Sequence, residues 1–291
     1  MAPAQGGVTS DAMRKSWITL GVMLALIAGL GLWIWLRPAD VKSSRERVST
    51  LAPGSARELR VEWPGKPAVA MKKESGAWRI VAPHAGRADT LQVERILSLL
   101  EGTSELSLPA TDLERFELDH PRARVTVDGQ TYAMGGINPV TGGVYLQRGD
   151  KVLLLESRYA GVIPAQPAAL NDRRLLGAQE APVAFSFPQF KVTQQDGKWK
   201  VTPGDADMSQ DDVLHWVERW QLASALRAEP FEGRAPASHI GLELRDGRSI
   251  AIGVAELEGE IAFTRYDEHM RYYFFVNAAR RLLAPPGAPA K

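Results

Sequence analysis

The sequence predicts an α+β protein in which an N-terminal transmembrane helix is followed by two tandem repeated modules, each an antiparallel sheet with one main packing helix. Three features predict this fold: an uncharged apolar run, two amphipathic stripes with helical spacing, and matching strand patterns around Asp-Gly turns. One helix layered on one face of an antiparallel sheet would give each module a closed core.

The apolar run over residues 17–36 reads WITLGVMLALIAGLGLWIWL and carries no charge. About 20 apolar residues let a helix cross the hydrocarbon core of a bilayer. Trp17, Trp33 and Trp35 stand where amphipathic aromatic side chains favour the membrane interfaces. Because the run is too long and its end too bulky for a cleaved signal peptide, we expect a short tail over residues 1–16 and a single-pass anchor over residues 17–36.

Three small residues in this run, Gly21, Ala25 and Gly29, fall on one face of a helix. Small side chains let a second helix approach closely, which favours a helix-mediated homodimer. The alternative is that glycine and alanine are simply common in membrane helices. Both interpretations remain open.

Beyond the run the chain repeats its own pattern. SGAWRIVAP at residues 75–83 matches DGKWKVTP at residues 196–203, and each is a turn followed by an alternating strand with a Trp and then a Pro. The segment before the repeats is polar, with Ser-Ser and Pro-Gly pairs typical of a linker. We assign a linker to residues 37–56, a first α+β repeat to 57–178, a second to 179–284, and a flexible tail to 285–291.

An amphipathic helix is predicted after each Trp strand. Its apolar stripe consists of Val93, Ile96, Leu97 and Leu100 in the first copy, and of Val213, Trp216, Val217 and Trp220 in the second. Thr90 and Ser209 are the expected N-caps. Trp78 and Trp199 hold matching places in their strands, where we expect them to pack between sheet and helix.

Paired strands are predicted after each helix. RVTVDGQTYAMGG at residues 124–136 parallels LELRDGRSIAIGV at residues 242–254, and an Asp-Gly pair between alternating strands is a strong hairpin signal. A second hairpin follows in each copy, and NDRRLLG at residues 171–177 then echoes NAARRLLA at residues 277–284.

Composition and motifs argue against several functional classes. The formal net charge is +1, which gives no global attraction to nucleic acid, and the absence of cysteine excludes disulfides and thiolate chemistry. The five histidines lack the HExxH spacing of zinc enzymes, and no GxSxG elbow occurs. We therefore predict that the protein is not an enzyme, with no catalytic or metal-binding residue, no cofactor and no nucleic-acid partner.

Four segments of the chain carry a family resemblance: AWRIVAP, LPATDLERFELDHPRARVTVDG, YAMGGINP and LNDRRLL. They resemble a bacterial family, domain-of-unknown-function family 4340. The resemblance covers most of the first copy and, more weakly, the second, where the Leu-Asp-x-Pro step of residues 118–121 becomes Ala-Ser-His-Ile. It implies a membrane-anchored envelope protein, some of whose relatives sit beside ABC-type transporter components of the gliding-associated kind, and it supplies no catalytic residues.

The orientation of the chain depends on its flanking charges. Arg14 and Lys15 precede the apolar run, whereas more basic residues follow it, which by the positive-inside rule favours a cytoplasmic C-terminal side. Long domains, however, are translocated largely regardless of charge. Together with the resemblance, this leads us to expect the bacterial inner membrane, with the C-terminal domain in the periplasm.

The segment GGINPVTGG at residues 135–143 is the first candidate interaction site. Strands are predicted on both sides of it and no Lys-Ser/Thr follows, so it does not fit a phosphate-binding loop. The second copy has GVAELEGE at residues 253–260 and keeps a glycine at each end, which indicates that the outer glycines supply positive φ to a hairpin. The residues that differ, and that would recognise a partner, are Ile137, Asn138, Pro139, Val140 and Thr141.

A run of four aromatic residues, Tyr272 to Phe275, is the second candidate. Neighbouring side chains of a strand point to opposite faces, so two of the four must face away from the layer that the others face. The joint between the two modules or a protein partner would cover them, and we take Tyr272 and Phe274 as candidate interaction residues.

Three functions follow, in order of preference. The first is a membrane-anchored, non-catalytic interaction or scaffold module of the envelope, accessory to an ABC-type transporter or another membrane assembly, with a membrane-protein partner. The second is a binder of peptidoglycan or another envelope glycan through exposed aromatic side chains. The third is a hydrolase whose site has no recognisable motif.

Overall fold

The computed structural model describes residues 23, 25–29, 45–203, 208–233 and 239–287. The chain divides into two compact units, Met1–Ser44 and Arg45–Lys291.

In the unit Met1–Ser44, Met23 and residues 25–29 are helical and have exposed side chains. The rest of the anchor predicted over residues 17–36, including Gly21, lies outside the described residues. Ala25 and Gly29 belong to the described helical residues, and a Cβ atom added at Gly29 would meet no atom within 4 Å. Among the described residues, no helix has both the length and the apolar character needed to cross a membrane.

The predicted α+β class is wrong, because the unit Arg45–Lys291 is mostly β-structure. Three sheets, of two, nine and eight strands, make up its framework. The described helices are short: α1 (Thr90–Leu97), α2 (Gln210–Gln221) and α3 (Val276–Leu283). The amphipathic stripes marked helices correctly, but the segments around them pair at the sheet edges, where short strands leave little pattern in the sequence.

All strand pairs are antiparallel. The strands before residue 156 are β1 (Glu46–Arg47), β2 (Glu58–Glu62), β3 (Val69–Glu74), β4 (Ala77–Ala82), β5 (Gly86–Arg87), β6 (Thr103–Ser104), β7 (Ser107–Pro109), β8 (Ala123–Val127), β9 (Gln130–Ile137), β10 (Val144–Arg148) and β11 (Lys151–Leu155). Those that follow are β12 (Pro182–Ser186), β13 (Lys191–Gln195), β14 (Lys198–Thr202), β15 (Arg227–Pro230), β16 (Ile240–Leu244), β17 (Ser249–Leu257), β18 (Glu260–Arg265) and β19 (Met270–Phe275).

The two large sheets share one strand order. The nine-stranded sheet, here the first sheet, runs β5-β4-β3-β2-β8-β9-β10-β11-β7. The eight-stranded sheet, here the second sheet, runs β14-β13-β12-β16-β17-β18-β19-β15. Each strand of the second sheet has a counterpart at the same place in the first, and β5 is the strand without one. In both sheets the edge strand beside the last hairpin, β7 or β15, comes after the helix and before the other hairpin strands in the chain.

Each sheet carries its own hydrophobic core beneath its helix. Val93, Ile96 and Leu97 of α1 are buried against the first sheet. Val213, Trp216, Val217 and Trp220 of α2 are buried against the second sheet together with α3. Trp78 and Trp199 are buried in the two cores, as predicted from their matching places.

The helix caps differ in part from the prediction. The side chain of Ser209 accepts a hydrogen bond from the backbone N–H of Asp211, which confirms the predicted cap of α2. In α1 the cap is Asp89, one residue before Thr90, and its carboxylate accepts from the N–H of Gln92. A carboxylate at this position also interacts favourably with the positive end of the helix dipole.

Residues 45–56, which the sequence assigns to a linker, pack onto the first sheet. β1 pairs with β6, and Val48 and Ala56 are buried in the first core. The backbone N–H of Val48 donates to the carbonyl of Gly102 at 2.8 Å.

Candidate interaction surface and the joint between the sheets

The predicted interaction loop lies at the β9–β10 hairpin of the first sheet. Val140 is 90% exposed and Ile137 is 49% exposed, while Pro139 and Thr141 are also exposed and Asn138 is half-buried. The loop therefore presents two apolar side chains to solvent at one tip. Exposed apolar side chains grouped in this way are typical of interaction sites.

Asn138 holds this loop in one conformation. Its Oδ1 accepts hydrogen bonds from the N–H groups of Val140 and Thr141, at 2.9 and 3.1 Å. Its Nδ2 donates to the hydroxyl of Tyr145 at 2.7 Å. The backbone of Asn138 adds two hydrogen bonds, one to the carbonyl of Gly143 and one from the N–H of Gly142. With its backbone groups paired, the loop is preorganised to display Val140.

The glycines at the ends of the loop act mainly by close packing. A Cβ atom at Gly135 would overlap the carbonyl oxygen of Phe116, and one at Gly143 would overlap the carbonyl oxygen of Leu155. Only Gly142 in this segment has a positive φ, of 69°. The expectation that the outer glycines supply positive φ therefore holds at Gly142, whereas Gly135 and Gly143 allow neighbouring backbone to approach and Gly136 makes room for the side chain of Glu117.

The base of the loop rests on a small third core on the face of the first sheet opposite α1. This core contains Phe116, Leu118, Ala133 and Val152. The ring of Tyr145, whose hydroxyl accepts the hydrogen bond from Asn138, packs against Phe116 with ring centroids 4.9 Å apart. The loop is thus supported from below by apolar packing.

A groove of about 690 Å³ runs alongside the loop. It is lined in part by Thr141 and Gly143 of the loop and by Leu106, Leu154 and Leu155. Two exposed ion pairs flank it, Arg45–Glu105 at 3.4 Å and Arg158–Glu156 at 3.2 Å. An apolar tip and a partly apolar groove therefore share one surface.

Tyr272 and Phe274, the two aromatic candidates, are both buried. Their side chains face the second core, and Phe274 packs edge-on against Phe263 with centroids 5.3 Å apart. Alternation along β19 turns Tyr273 and Phe275 to the opposite face, where Phe275 is 63% exposed. The alternation was predicted, but which pair faces the core was not.

The segment LNDRRLL, residues 170–176, forms the joint between the two sheets. On the side of the first sheet, Asp89 N–H donates to the carbonyl of Leu170 and Asp172 N–H donates to the carbonyl of Arg87. On the side of the second sheet, Leu175 N–H donates to the carbonyl of Ala223 at 2.8 Å. The segment therefore pairs with β5 and the residues after it on one side, and with the residues between α2 and β15 on the other, and so links the two sheets.

The side chain of Asn171 strengthens this joint. Its Nδ2 donates to the carbonyl of Ala228 in β15 at 2.8 Å, and its Oδ1 lies 3.0 Å from Nε2 of His84. Asn171 is buried, so both of its polar atoms replace hydrogen bonds to water.

Buried charges surround the joint. Arg87 of β5 pairs with Asp172 at 3.2 Å, and its guanidinium donates to the hydroxyl of Tyr272 at 2.9 Å. Its Nε lies 2.9 Å from a carboxylate oxygen of Glu268, an ion pair without hydrogen-bond geometry. Burial opposes the charge of Arg87, but Tyr272, Glu268 and Asp172 outweigh it and raise the pKa of Arg87.

Arg265, at the end of β18, is completely buried in the same region. It forms paired hydrogen bonds with both oxygens of Glu180, at 2.7 and 3.0 Å, and with Asp267, and it donates to the carbonyl of Leu175 at 3.0 Å. Burial raises the pKa of Glu180, but its hydrogen bond and ion pair with Arg265 act more strongly in the opposite direction and lower that pKa to about 2. The carboxylate therefore stays charged, and the cluster acts as a structural clamp.

The sequence alone does not reveal this cluster as a site. The local signal for it is the polar centre of LNDRRLL, which stands between leucines. The partners of that centre come from residues far along the chain, such as Glu268 and Tyr272, which no local pattern connects. In the described ranges, no group of three or more His, Cys, Asp or Glu residues is placed to hold a metal ion.

Comparison with known protein families gives one match. The family described as Domain of unknown function (DUF4340) matches residues 78–233, more than half of the chain. The match begins at Trp78 in β4 and includes α1, the interaction loop and the joint. It confirms the resemblance inferred from the sequence. No curated protein and no solved structure matches the chain.

Proposed function

The chain belongs to the domain of unknown function family 4340, and from that premise we propose that it is a non-catalytic interaction module of the bacterial envelope, accessory to an ABC-type transporter or another membrane assembly. The observation that carries the proposal is the 90% exposure of Val140 on a loop that Asn138 fixes. The transporter itself is proposed only from the resemblance.

The geometry of the loop supports binding to a protein. An exposed apolar side chain gains free energy when a partner pocket removes it from water. Because the loop is already ordered, little conformational entropy is lost on binding. Such a residue is suited to be an anchor around which a larger interface forms.

The joint supports a scaffold role. Its charged groups are engaged with one another: Arg87 of β5 pairs with Asp172 of the joint and with Glu268, which lies between β18 and β19 of the second sheet. Buried ion pairs of this kind fit a structural clamp better than proton transfer to a substrate. A clamp of this kind keeps the two sheets in one arrangement and so keeps distant surface loops at fixed positions.

Photo-crosslinking in the native bacterium tests the proposal. A photoreactive amino acid at position 140 of the full chain should give a crosslinked product with a membrane protein. The matched control is position 258, at the tip of the equivalent β17–β18 hairpin, which should give none. If position 140 gives no product, or the same products as position 258, the loop is not an interaction site.

The localisation proposed with this function is the inner membrane, with the C-terminal domain in the periplasm. Cell fractionation followed by protease treatment of spheroplasts checks it. We expect an epitope after residue 287 to be recovered with the inner membrane and to be cleaved in intact spheroplasts. Protection of the epitope until the cells are lysed would place the domain in the cytoplasm.

A second function is favoured by one surface of the second sheet, the binding of an envelope glycan. Phe275 is exposed, and Tyr273 lies on the same face two residues before it. Arg227 stacks on the Tyr273 ring at 3.8 Å and forms two hydrogen bonds with Glu260. Aromatic rings beside fixed polar groups suit stacking against a sugar.

Sedimentation with purified peptidoglycan tests this second function. If Phe275 is the stacking residue, the full chain should be depleted from the supernatant and Phe275→Ala should reduce that depletion. Leu222→Ala removes another exposed apolar side chain, far along the chain, and should leave it unchanged. No depletion of the unaltered chain would exclude peptidoglycan as the ligand.

A further inference from the structure

We infer that a second copy of this chain docks on the surface formed by the interaction loop and its groove, so that each copy inserts Val140 into the groove of the other. The inference rests on the proposed function, because it names the partner at the same loop.

The shape of the surface suits a second copy of the chain. Val140 projects from the tip, and Thr141, the next residue, lines the groove. A protrusion directly beside a depression is self-complementary under a two-fold axis that passes between them. Under that axis the tip of each copy lies over the groove of the other.

The lining of the groove suits an apolar side chain. Its apolar lining comes from Leu106, Leu154 and Leu155, and Leu106 is itself an exposed large hydrophobic residue. A groove of about 690 Å³ has ample room for a valine side chain and its neighbour Pro139. Docking would remove Val140, Ile137 and Leu106 from water in both copies at once.

The charges at the rim of the groove are balanced. One flank has Arg45 with Glu105 and the other has Arg158 with Glu156, so each flank carries one charge of each sign. Two copies can therefore meet without like-charge repulsion, and the pairs can exchange partners across the axis. A nucleic acid or an anionic lipid surface would favour a rim of net positive charge.

Sedimentation velocity of the full chain in a mild detergent tests the inference. Between about 1 and about 100 μM, we expect a monomer–dimer equilibrium whose dissociation constant rises by about tenfold or more in Val140→Asp. Leu257→Asp, in the equivalent hairpin of the second sheet, should leave it unchanged. Circular dichroism should show the same thermal unfolding for both variants, because both residues are exposed.

A crosslinking experiment identifies the contact directly, since the chain has no cysteine. Differently tagged Val140→Cys and Ser157→Cys chains, mixed under mild oxidation, should form a disulfide-linked heterodimer. Val140→Cys mixed with Leu257→Cys should not. A chain that stays monomeric, or a dimer that Val140→Asp leaves intact, would overturn the inference. If position 140 then still crosslinks to another membrane protein in cells, the proposed function stands without it.

Discussion

The two large sheets bind the chain segment that enters each of them in different ways. Each has the same strand order, and in each the chain enters along the edge near the strand that follows the helix. In the first sheet the entry segment is β1, paired with β6, and Val48 N–H donates to the carbonyl of Gly102. In the second sheet the entry segment is the joint, where Leu175 N–H donates to Ala223.

One arginine in each sheet holds this entry segment. Arg148, at the end of β10, donates to the carbonyl of Val48 at 3.0 Å, and Arg265, at the end of β18, donates to the carbonyl of Leu175 at 3.0 Å. The side chain of Arg148 is 31% exposed, whereas that of Arg265 is fully buried. A contact kept in both copies is thus peripheral in the first and central in the second, because only the second entry segment lies between the two sheets.

The edges beside the Trp strands also differ. In the first sheet β5 pairs with β4, and Ala88 N–H donates to the carbonyl of Trp78. In the second sheet the side chain of Gln210 donates to the carbonyl of Trp199 at 2.7 Å and accepts from its N–H at 3.0 Å. A side-chain amide of α2 therefore replaces backbone pairing at Trp199.

The largest expected effect comes from breaking the buried arginine clamp. Arg265→Met leaves the carboxylates of Glu180 and Asp267 without their partner and should lower the free energy of unfolding by about 3–5 kcal/mol. Arg148→Met, the matched change in the first sheet, should cost about 1 kcal/mol because its ion pairs are partly exposed. Denaturant unfolding of both variants measures the difference, and equal costs would contradict the comparison.

Acid should weaken the second clamp in a defined window. The folded-state pKa of Glu180 is lowered from 4.5 to about 2, so its contribution is complete above about pH 4.5 and is lost as the pH falls toward 2. The loss should reach about 3 kcal/mol, measured as unfolding free energy against pH. Glu180→Gln should be less stable at neutral pH and should show a flatter acid limb. An unchanged limb would show that other carboxylates control acid unfolding.

A smaller effect on stability is expected when the matched glycines of β9 and β17, Gly135 and Gly253, are changed to alanine. Gly135→Ala forces its Cβ against the backbone of Phe116, which should cost about 1–3 kcal/mol. Gly253→Ala meets only the end of the Tyr266 side chain, which can turn away, so the cost should be lower. Thermal unfolding of the two variants compares them. A larger loss for Gly253→Ala would mean that the ring of Tyr266 is held as firmly as backbone.

The smallest effect concerns the edge cap of the second sheet. Gln210→Ala removes two hydrogen bonds to Trp199 and should cost about 1–2 kcal/mol. The amide of Trp199 should then exchange faster with solvent, while that of Ala88, bonded to the carbonyl of Trp78, stays protected. Unchanged exchange at Trp199 would show that another group covers this edge.

Sequence patterns predicted the parts of the fold whose causes are local. The stripes of α1 and α2, the Ser209 cap and the Asp-Gly hairpins each depend on residues within a few positions of one another. The pattern failed for edge strands such as β5 and β7, which are too short to show alternation, and the predicted class was therefore wrong. The cap of α1 was misplaced by one residue because Asp89 and Thr90 are both good capping residues.

The candidate surfaces likewise combine features with local causes, which the sequence predicts, and features that depend on tertiary packing. The loop at residues 137–141 could be located because its two copies differ there, and Val140 is exposed. The alternation of the aromatic strand was evident, but the face that Tyr272 and Phe274 share was decided by the position of α2 and α3. A one-residue shift in register would have exposed them instead.

Hydrophobic periodicity and turn chemistry act over short distances, so the sequence predicts the longer strands, the Asp-Gly turns and the helices α1 and α2. What the motif LNDRRLL does depends on the tertiary structure. Its leucines and its Asn-Asp-Arg-Arg centre are compatible with a surface strand, a helix or a joint. They form a joint because Arg87, Arg265 and Glu268 arrive from distant parts of the chain, and buried charges are stable only where such partners meet.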